Sequence, residues 1–417
     1  MHILFLTDNF PPEVNAPASR TFEHCREWIR AGHEVTVITC APNFPKGRVF
    51  DGYENRWRHE EIVDGIRVIR VWSYITANEG FLKRTLDYLS FMASAILASG
   101  RVRKVDIIIA TSPQFFTAVA GFAVSVLKGR PWIFELRDLW PESIRAVGAM
   151  SDGPVLGMLE RLELFLYRRA RRIVTVTHAF KHNLIKRGLP ENKIAVVTNG
   201  ADLSRYKPLE KDTSLEASLE LKGRFVAAYI GTHGMAHALD TLLEAASALK
   251  RKHENLPITI LMLGDGAEKV RLKEKASALD LDNVIFIDSV PKSEVHRYWS
   301  LCDVAIIHLR RTDLFKTVIP SKLFEGMAMG IPVIHGVEGE SAEIVRSHGI
   351  GVTVQPENAG AMTAAIVDLY EREDLRNNYV ENALRTAPQY DRSKLAQDML
   401  AEIEYAVSKT GDTHVGR

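Results

Sequence analysis

The chain has 417 residues, of which 46% are hydrophobic and 25% are charged, and its formal net charge is +1. Because single hydrophobic cores stop growing at roughly 250–300 residues, this length predicts two domains, and the composition excludes a disordered or collagen-like protein. Cys25, Cys40 and Cys302 are widely spaced and form no C-x-x-C pair, which excludes a disulfide framework and a zinc ribbon.

The small net charge hides an asymmetry between the two halves of the chain. Residues 1–203 carry 27 lysines and arginines against 21 acidic residues, whereas the remaining residues carry 26 against 31. A basic first half indicates an anionic partner, such as a phosphorylated lipid or a membrane surface, and chance scatter of solvated charges is the alternative. No stretch has the length of a spanning helix or the interleaved basic and aromatic residues of a nucleic-acid platform, so we expect neither.

Short β-branched runs alternate with helical patterns along the whole chain, which predicts β-α units and parallel sheets. In the first half the predicted strands are His2–Thr7, Glu34–Thr39, Ile66–Val71, Asp106–Ala110, Trp132–Glu135, Arg172–Thr177 and Ile194–Val197. In the second half they are Phe225–Ile230, Ile258–Leu263, Val284–Ile287, Val304–His308, Pro332–Ile334 and Gly351–Val354. We therefore predict an α/β protein with two Rossmann-like, doubly wound parallel-sheet domains that face a cleft.

The boundaries of these domains follow from changes in composition. We place the first domain at residues 1–203, a polar linker at 204–222, the second domain at 223–385, a helix that packs back on the first domain at 386–407, and a frayed tail at 408–417. Residues 81–97 combine aromatic, apolar and basic side chains. This segment is either a membrane-interface helix or a buried helix with a basic start.

Glycine-rich turns follow two predicted strands of the second half. In open parallel sheets, ligands bind beyond the carboxyl ends of the strands. Phe225–Ile230 leads into residues 231–234, Gly-Thr-His-Gly, and Ile258–Leu263 leads into residues 264–266, Gly-Asp-Gly. Glycines there let backbone N–H groups approach a phosphate, although they can also serve loop closure alone. We expect His237 to hydrogen-bond to a diphosphate, because no carboxylate cluster accompanies it for metal binding.

A short helix is predicted after Pro320 and Ser321. Lys322 and Glu325 are three residues apart and share one face of this helix. A carboxylate at this position can accept hydrogen bonds from two ribose hydroxyls, and an ammonium can neutralise a phosphate. A surface ion pair on an ordinary helix is the alternative interpretation.

Acidic residues occur at two other places of interest. Asp138 and Glu142 follow the strand Trp132–Glu135, and they are well placed to contact an acceptor or a reacting sugar. Helix-start carboxylates that bind backbone N–H groups are the alternative. Asp280 and Asp282 have the D-x-D spacing of some metal sites, but they lie in a polar turn, so we expect no metal there.

Several motifs together resemble glycosyltransferase family 4, whose members have GT-B architecture. The likeness is carried by the pattern E-x-M-A-x-G-x-P-V at residues 325–333, by Asn-Gly-Ala-Asp at 199–202, by Asn-Phe-Pro-Pro-Glu at 9–13 and by residues 32–39, so it spans nearly the whole chain. Residues 137–143 and 336–342 are similar to a bacterial branch that builds O-antigen and capsule sugars and includes N-acetylfucosaminyltransferases.

The resemblance implies a retaining enzyme that moves a sugar, such as an N-acetylated 6-deoxyhexosamine, from a nucleotide-diphosphate donor, UDP-linked by expectation, to a polyprenyl-diphosphate-linked glycan. It also implies no metal and no other cofactor, and a cytoplasmic protein that contacts the anionic inner membrane face peripherally during lipopolysaccharide or capsule synthesis. A UDP-N-acetylglucosamine 2-epimerase of similar fold is one alternative function, and a non-catalytic sugar-nucleotide sensor is another.

The sequence departs from the family pattern at two places. The family commonly has two glutamates eight positions apart; the second matches Glu325, whereas Thr317 occupies the first position. The arginine and lysine that often hold the diphosphate are replaced by Thr232 and His237. The positive charge that neutralises the diphosphate must therefore come from other residues. Lys322 is the first candidate, and the next candidates are Arg20, His237, Arg310 and Arg311.

These arguments define three sets of predicted site residues. The predicted catalytic residues are Asp138, Glu142 and Lys322. The predicted donor-binding residues are Gly231, Thr232, His233, Gly234, His237, Asp265, Gly266, Val290, Pro320, Ser321, Lys322 and Glu325. The predicted acceptor-side residues are Asn15, Arg20, Arg137 and Asp138.

Overall fold

The computed structural model describes residues 1–44, 46–76, 81–140 and 153–408. The chain divides into two units. Unit 1 contains Met1–Thr198 and the chain from Arg392 onward, and unit 2 contains Asn199–Asp391. The chain therefore leaves unit 1 after Thr198 and returns to it at Arg392.

Unit 1 is built around a predominantly parallel sheet. Its strands are β1 (His2–Leu6), β2 (Glu34–Cys40), β3 (Arg58–Val63), β4 (Ile66–Val71), β5 (Ile107–Thr111), β6 (Trp132–Leu136), β7 (Arg172–Thr175) and β8 (Ile194–Val196). Its first helices are α1 (Ala16–Arg30), α2 (Phe81–Ser99), α3 (Phe115–Lys128), α4 (Pro154–Arg169) and α5 (His178–Lys186), and a 3₁₀ turn spans Glu191–Lys193. The strand order is β3-β4-β2-β1-β5-β6-β7-β8, and β3 is antiparallel to β4.

Unit 2 has the same kind of architecture. Its strands are β9 (Phe225–Ile230), β10 (Ile258–Leu263), β11 (Val284–Ile287), β12 (Val304–His308), β13 (Val333–Gly336) and β14 (Gly351–Thr353), in the all-parallel order β11-β10-β9-β12-β13-β14. Its helices are α6 (Thr213–Ser218), α7 (Asp240–Lys252), α8 (Lys269–Ala278), α9 (Val295–Trp299), α10 (Lys322–Ala328), α11 (Glu340–His348), α12 (Ala359–Glu371) and α13 (Glu373–Thr386), with 3₁₀ turns at Met235–His237, Leu314–Thr317 and Ala387–Tyr390.

Hydrophobic side chains on both faces of each sheet explain why these strands form. In β1, Leu4 and Leu6 belong to one core cluster, whereas Ile3 and Phe5 belong to the cluster on the other face. Side chains alternate between the faces of a strand, and parallel sheets are covered by helices on both faces. The prediction of two parallel-sheet α/β domains is confirmed, because each unit has this layered arrangement.

The last helix, α14 (Arg392–Ser408), belongs to unit 1. The Trp28 indole Nε1 donates a hydrogen bond to the Ala396 carbonyl oxygen at 2.9 Å. Arg392 pairs with the buried carboxylate of Glu23, and Met399 and Ile403 are fully buried in the core of unit 1. The C-terminal segment is thus a packed part of the first unit.

The segment 204–222, predicted as a linker, is a packed part of unit 2. Tyr206 and Leu221 are buried in its core. The Asp212 carboxylate accepts hydrogen bonds from the backbone N–H groups of Ser214 and Leu215 at the start of α6, and it pairs with Arg297 at 2.8 Å. Polar residues in this segment therefore cap a helix rather than mark a free connection.

The amphipathic segment at residues 81–97 lies within α2. Phe91 and Ala95 are buried in the core of unit 1, whereas Leu86 and Leu97 are 54% and 73% exposed. One face of α2 therefore packs on the core. Across the described ranges, no helix combines the length and the apolar character that crossing a membrane requires.

Candidate functional site

Two glycine turns meet at the carboxyl edge of the unit 2 sheet, where the strand order reverses between β9 and β12. Gly231 follows β9 with φ +150°, and Gly264 follows β10 with φ +147°. A Cβ atom on Gly264 would lie 1.8 Å from the Gly231 carbonyl oxygen, so no other residue fits without moving the backbone. The His233 N–H also donates to the Asp265 carbonyl oxygen at 2.8 Å. The two turns therefore form one platform at the position where open α/β sheets bind ligands.

Lys322, the first residue of α10, reaches this platform. Its Nζ atom lies 3.7 Å from the centroid of the Tyr229 ring, and a Cβ atom on Gly231 would come within 2.5 Å of it. Within the described ranges this Nζ is buried and has no hydrogen-bond partner. Burial lowers the pKa of Lys322 to about 7, although the Glu325 carboxylate opposes the shift. An unpaired buried ammonium is costly, which indicates that an anion completes this site.

Glu325 lies one turn further along α10 and is half-buried. The Trp299 indole Nε1 donates to its Oε2 atom at 3.4 Å. Phe324 and Met327 are buried in the core of unit 2 and anchor the helix. The carboxylate is therefore held by a short, well-packed helix rather than by a loop.

The two site histidines are neutral at physiological pH. Burial, reinforced by the charge of Lys322, lowers the pKa of His237 to about 3, and burial with the charge of Lys269 lowers that of His233 to about 4. Both ring nitrogens of His233 and the Nδ1 of His237 are buried without partners among the residues that the structure describes. His237 can thus offer a hydrogen bond but no positive charge, which argues against it as a replacement cation.

The helix that follows the first glycine turn does not begin at the turn itself. A 3₁₀ turn at Met235–His237 follows Gly234, Ala238 adopts a left-handed φ of +45°, and α7 begins only at Asp240. The Asp240 carboxylate is paired with Arg271 and Lys275. The backbone turn, and not the end of α7, is therefore the part that adjoins Lys322.

Two further cations near this edge differ in their availability. The Arg310 backbone N–H donates to the Ala236 carbonyl oxygen at 2.8 Å, which places this exposed residue beside the turn that carries His237. Arg311 is also exposed, but its Nε lies 3.5 Å from a carboxylate oxygen of Glu338. Arg310 is therefore the better placed of the two to assist Lys322.

The remaining predicted donor-binding residues are distributed around the same edge. Thr232 and Asp265 are exposed on the two turns, and a Cβ atom on Gly266 would lie 2.4 Å from the His233 carbonyl oxygen. The Pro320 and Ser321 carbonyl oxygens accept the first backbone hydrogen bonds of α10. Val290 instead packs against the hydrophobic core of unit 2, which favours a structural role.

Thr317 occupies the position of a family glutamate, and its side chain is used locally. Its Oγ1 donates to the Leu314 carbonyl oxygen at 2.7 Å within the 3₁₀ turn. Nearby, a Cβ atom on Gly339 would lie 2.0 Å from the Lys316 carbonyl oxygen. This turn therefore packs closely against the start of α11 and presents no carboxylate at position 317.

Sequence reasoning missed several residues that shape the unit 2 site. Tyr229 looks like an ordinary core residue of β9, yet its ring lies under the Lys322 ammonium. Lys269 is buried and its Nζ donates to the Gly264 carbonyl oxygen at 2.6 Å, which braces the second glycine turn. His308 donates from Nδ1 to the His237 carbonyl oxygen and accepts at Nε2 from the Glu357 N–H, so its neutral tautomer is fixed. Tyr229 and His308 were hidden because their partners are remote in sequence, and Lys269 because nothing in its local pattern distinguishes it from a surface lysine.

In unit 1, the predicted acceptor-side residue Arg20 has a structural position. It is fully buried, and its Nε donates to a Glu135 carboxylate oxygen at 2.9 Å. Its two terminal nitrogens donate to the carbonyl oxygens of Thr198 and Val197 at 2.5 and 2.9 Å. Each of the three guanidinium nitrogens thus has a partner within unit 1, which favours a structural role; acceptor contact and the role of replacement cation stay predictions.

Asn15 and Arg137 also serve the backbone of unit 1. The Asn15 side chain accepts from the Ala18 N–H at 2.8 Å and caps α1. The Arg137 guanidinium donates to the carbonyl oxygens of Pro17 and Ala16 at 3.2 Å each. Burial lowers the pKa of Arg137 to about 10, so it stays charged. Both residues hold the first turn of α1, and direct acceptor contact by either stays a prediction.

Asp138 is held by its backbone, because its N–H donates to the Ser112 Oγ at 3.1 Å. Glu142 lies outside the described residues.

The D-x-D pair in unit 2 lies in a polar turn. Asp280 and Asp282 are 3.1 and 3.3 Å from the Lys250 ammonium. No group of three or more His, Cys, Asp or Glu side chains in the described part of the chain is arranged to hold a metal ion.

A cleft that the sequence did not indicate lies at the carboxyl edge of the unit 1 sheet. It is lined by three carboxyl groups, those of Asp8, Glu13 and Asp87. Burial raises the pKa of Glu13 and of Asp87 to about 7, and it also raises the pKa of Asp8. We call this feature the acidic cleft.

Comparison with known proteins gives concordant results for the two units. Residues 210–386 match the family Glycosyl transferases group 1, and residues 15–200 match the Glycosyl transferase 4-like domain. The putative colanic acid biosynthesis glycosyl transferase WcaI of Escherichia coli K12 is 26% identical over 381 residues, which cover 88% of this chain and 91% of that protein.

Solved structures share the fold at low sequence identity. Sucrose-phosphate synthase from Thermosynechococcus elongatus superimposes with a TM-score of 0.78 at 15% identity, over 98% of this chain and 99% of that one. Anabaena HepE in complex with UDP-glucose gives a TM-score of 0.71 at 17% identity, over 97% of this chain and 100% of that one. The fold is thus that of two-domain glycosyltransferases.

Proposed function

Because this chain belongs to the glycosyltransferases with a group 1 and a 4-like domain, we propose that unit 2 binds a nucleotide-sugar and that the sugar passes to a glycan hydroxyl bound by unit 1. The observation that carries the proposal is the buried ammonium of Lys322 beside the glycine turns, which has no hydrogen-bond partner among the described residues. A diphosphate supplies the charge and the acceptor oxygens that this site lacks.

Each part of the donor has a candidate partner in unit 2. Lys322 and the N–H groups of the glycine turns bind the diphosphate, and Glu325 accepts hydrogen bonds from the ribose hydroxyls. His237 supplies a neutral hydrogen bond, and Arg310 adds long-range attraction. No metal takes part in this proposal, because the protein cation neutralises the leaving group.

The transfer is a substitution at the anomeric carbon of the donor sugar. The bond from this carbon to the diphosphate oxygen breaks, and the electron pair stays on the nucleoside diphosphate. The acceptor oxygen forms the new bond, and its hydroxyl proton passes to an oxygen of the departing diphosphate. Stabilising the departing diphosphate and orienting the acceptor lower the barrier of such a loose transition state. We propose retention of configuration, with Asp138 and Glu142 on the acceptor side.

The names of similar proteins support a role in bacterial surface polysaccharide synthesis. They include putative colanic acid and amylovoran biosynthesis glycosyltransferases. HepE structures contain UDP or UDP-glucose, which supports a UDP-linked donor here. We propose a polyprenyl-diphosphate-linked glycan as acceptor, met at the inner face of the cytoplasmic membrane during O-antigen, lipopolysaccharide or capsule synthesis.

A thermal-shift screen with UDP-, GDP- and dTDP-sugars tests this function. A ligand that binds only the folded state stabilises it by about 2.7 kcal/mol at 100 times its dissociation constant. We expect one nucleotide class, UDP, to stabilise the protein and Glu325→Gln to abolish the shift. Glu373→Gln is the matched control, because Glu373 is an exposed carboxylate in the first turn of another unit 2 helix.

Product analysis then separates the possible enzymes. The proposal expects release of nucleoside diphosphate together with a new glycosidic bond on the acceptor. An epimer of the donor sugar formed without acceptor would show a 2-epimerase instead, and donor binding without any turnover would show a sensor. An unchanged shift in Glu325→Gln would remove Glu325 from the donor site.

A further inference from the structure

The last residue of β12, His308, joins two loops at the carboxyl edge of the unit 2 sheet. Its side chain is buried, with 1% of the residue exposed. Its Nδ1 donates to the His237 carbonyl oxygen at 2.8 Å, and its Nε2 accepts from the Glu357 backbone N–H at 2.9 Å. The first partner lies in the turn after β9, and the second lies between β14 and α12. One imidazole therefore ties both loops to β12.

Left-handed backbone marks both of these partners. Ala238, whose N–H belongs to the same peptide group as the His237 carbonyl, has φ +45°, and Glu357 has φ +59°. Neither residue is glycine, so each conformation costs free energy and persists only where neighbouring groups hold it. His308 bonds directly to both strained positions, which makes it one of the groups that hold them.

The neighbouring strand leaves room for the His308 ring. Gly336, the last residue of β13, pairs in register with His308. A Cβ atom on Gly336 would lie 2.4 Å from the His308 Cδ2, which is closer than real carbon atoms approach. The ring is held at both of its nitrogens, so it cannot move aside without losing a hydrogen bond. Glycine at 336 and histidine at 308 are thus matched to each other.

The chain just after β12 repeats both links through its backbone. The Arg310 N–H donates to the Ala236 carbonyl oxygen at 2.8 Å, next to the residue that His308 holds. The Arg311 N–H donates to the Glu357 Oε2, also at 2.8 Å. The end of β12 and the two loops therefore form one hydrogen-bonded unit.

The turn at residues 235–238 adjoins the Lys322 ammonium. The ring centroids of His237 and Tyr229 lie 6.0 Å apart, and the Lys322 Nζ lies 3.7 Å from the centroid of the same tyrosine ring. The positive charge of Lys322 also contributes to the lowered pKa of His237. The backbone that His308 holds is thus part of the proposed diphosphate site.

The peptide between residues 237 and 238 links His308 to anion binding. His237 ends a right-handed 3₁₀ turn and Ala238 is left-handed. Such a pair directs successive backbone N–H groups into a concavity that binds anions. Because the carbonyl and the N–H of one planar peptide point in opposite directions, His308 fixes the direction of the Ala238 N–H when it holds the His237 oxygen.

We propose that His308 is a positioning residue of the donor site, which keeps the turn at residues 235–238 in the conformation that receives the donor diphosphate. This inference rests on the proposed function and adds a residue that acts on donor binding through the backbone. Burial lowers the pKa of His308, so the neutral ring keeps Nδ1 as a donor and Nε2 as an acceptor. Both nitrogens are occupied, and the imidazole therefore does not bind the donor itself.

A role in packing alone is the alternative for a buried histidine. Packing depends on the volume of the side chain and treats its two hydrogen bonds alike. Positioning of the turn depends on the bond to His237, whereas the bond to Glu357 contributes to stability only. Variants that keep one bond and lose the other distinguish the two roles.

His308→Asn and His308→Gln are such a pair. The asparagine amide nitrogen lies as many bonds from Cβ as the histidine Nδ1, so it can donate to the His237 oxygen. The glutamine amide oxygen lies as many bonds from Cβ as Nε2, so it can accept from the Glu357 N–H. Calorimetry with UDP-glucose should show affinity about three- to tenfold lower in His308→Gln, the effect of one lost hydrogen bond, and within about twofold of wild type in His308→Asn.

Hydrogen exchange of the unliganded full chain tests the same pair without a donor. Amides of residues 235–239 should exchange faster in His308→Gln than in wild type, whereas the Glu357 amide should exchange faster in His308→Asn. The two variants should have similar thermal stability, because each loses one buried hydrogen bond.

Gly336→Ala tests the ring position independently. The added methyl group displaces the imidazole, so UDP-glucose affinity should fall about as much as in His308→Gln. Gly360→Ala in α12 is the matched control, because a Cβ atom there meets its nearest neighbour, the Asn358 Oδ1, at an ordinary 3.5 Å. This control should retain wild-type affinity.

The outcomes separate this inference from the proposed function. Equal affinity losses in His308→Asn and His308→Gln, or a larger loss in His308→Asn, would overturn the positioning role. A wild-type protein that binds no UDP-glucose contradicts the proposed donor instead. In that case the exchange data still decide, because equal exchange of residues 235–239 in the two variants refutes the hold of His308 on the turn.

Discussion

Arg20 in unit 1 and Lys322 in unit 2 are both buried cations, but their surroundings differ. Arg20 donates to Glu135 and to two backbone carbonyl oxygens. Burial alone would raise the pKa of Glu135, yet the charge of Arg20 brings it below its ordinary value. Lys322 faces the Tyr229 ring and, among the described residues, makes no hydrogen bond through Nζ.

This contrast separates a structural cation from a binding cation. Every nitrogen of the Arg20 guanidinium has a partner, and these bonds join β6 to the chain at residues 197–198. Lys322 is left unsatisfied by its own unit, which raises the free energy of the unliganded state and favours binding of an anion. Completeness of hydrogen bonding, rather than residue type, distinguishes the two roles.

The largest predicted effect comes from removing the satisfied cation. Arg20→Met leaves the buried Glu135 carboxylate without its partner, which costs about 3–5 kcal/mol of unfolding free energy. Thermal and chemical denaturation of the full chain measure the loss. Arg30→Met in the same helix is the control, because Arg30 is 62% exposed in a surface ion pair and should cost less than about 1 kcal/mol. Similar stability of the two variants would show that Arg20 is not a structural cation.

Removing Lys322, the unsatisfied cation, should leave stability unchanged and reduce donor affinity. Lys322→Met deletes an unpaired buried charge, so the unfolding free energy should not fall. Affinity for UDP-glucose should fall about 10–100-fold, because a charge-assisted hydrogen bond contributes roughly 1.5–3 kcal/mol. Calorimetry measures this loss, and Lys273→Met, whose side chain is 50% exposed, should retain wild-type affinity. Wild-type affinity in Lys322→Met would contradict the assigned role.

The smallest predicted effect concerns an exposed cation beside the same site. Arg310→Ala should weaken UDP-glucose binding about two- to fivefold, the range of ~0.5–1 kcal/mol for a solvent-exposed charge. Because salt screens exposed charges, the difference from wild type should vanish near 1 M salt. A loss that persists at high salt would indicate that Arg310 contacts the donor directly.

Much of the fold could be predicted because buried parallel strands are continuous apolar runs. Four of the six strands of unit 2 have the predicted bounds, from Phe225–Ile230 to Val304–His308. The strand Arg58–Val63 was missed, since it lies at the edge of the sheet and pairs only with its neighbour β4. Four of its six residues are charged or polar, so no hydrophobic pattern marks it.

The two candidate sites differed in how well the sequence revealed them. Lys322 and Glu325 could be found because both lie in one short motif. Arg20 could not be interpreted, because its partners Glu135 and Thr198 are 115 and 178 residues away in the chain. Net charge did not reveal the local charge of the cleft: the basic first half suggested an anionic partner, which stays a prediction, whereas the described cleft in unit 1 is lined by carboxyl groups.

The uptake of protons on donor binding depends on Lys322. The pKa of Lys322 lies near 7 without ligand, well below its ordinary value of 10.5, and a bound diphosphate raises it again. Binding therefore takes up protons, and affinity falls by up to about tenfold per pH unit above pH 7. His233 and His237, with pKa values of about 4 and 3, do not titrate in this range.

Calorimetric titration of UDP-glucose at pH 8, in buffers of different ionisation enthalpy, tests the central claim most directly. Both phosphates of this ligand are esterified and do not titrate near pH 8, so protons taken up report on the protein. We predict uptake of close to one proton by the wild-type protein and none by Lys322→Met. Binding without proton uptake, or equal uptake in both proteins, would contradict the account of Lys322 as the diphosphate cation.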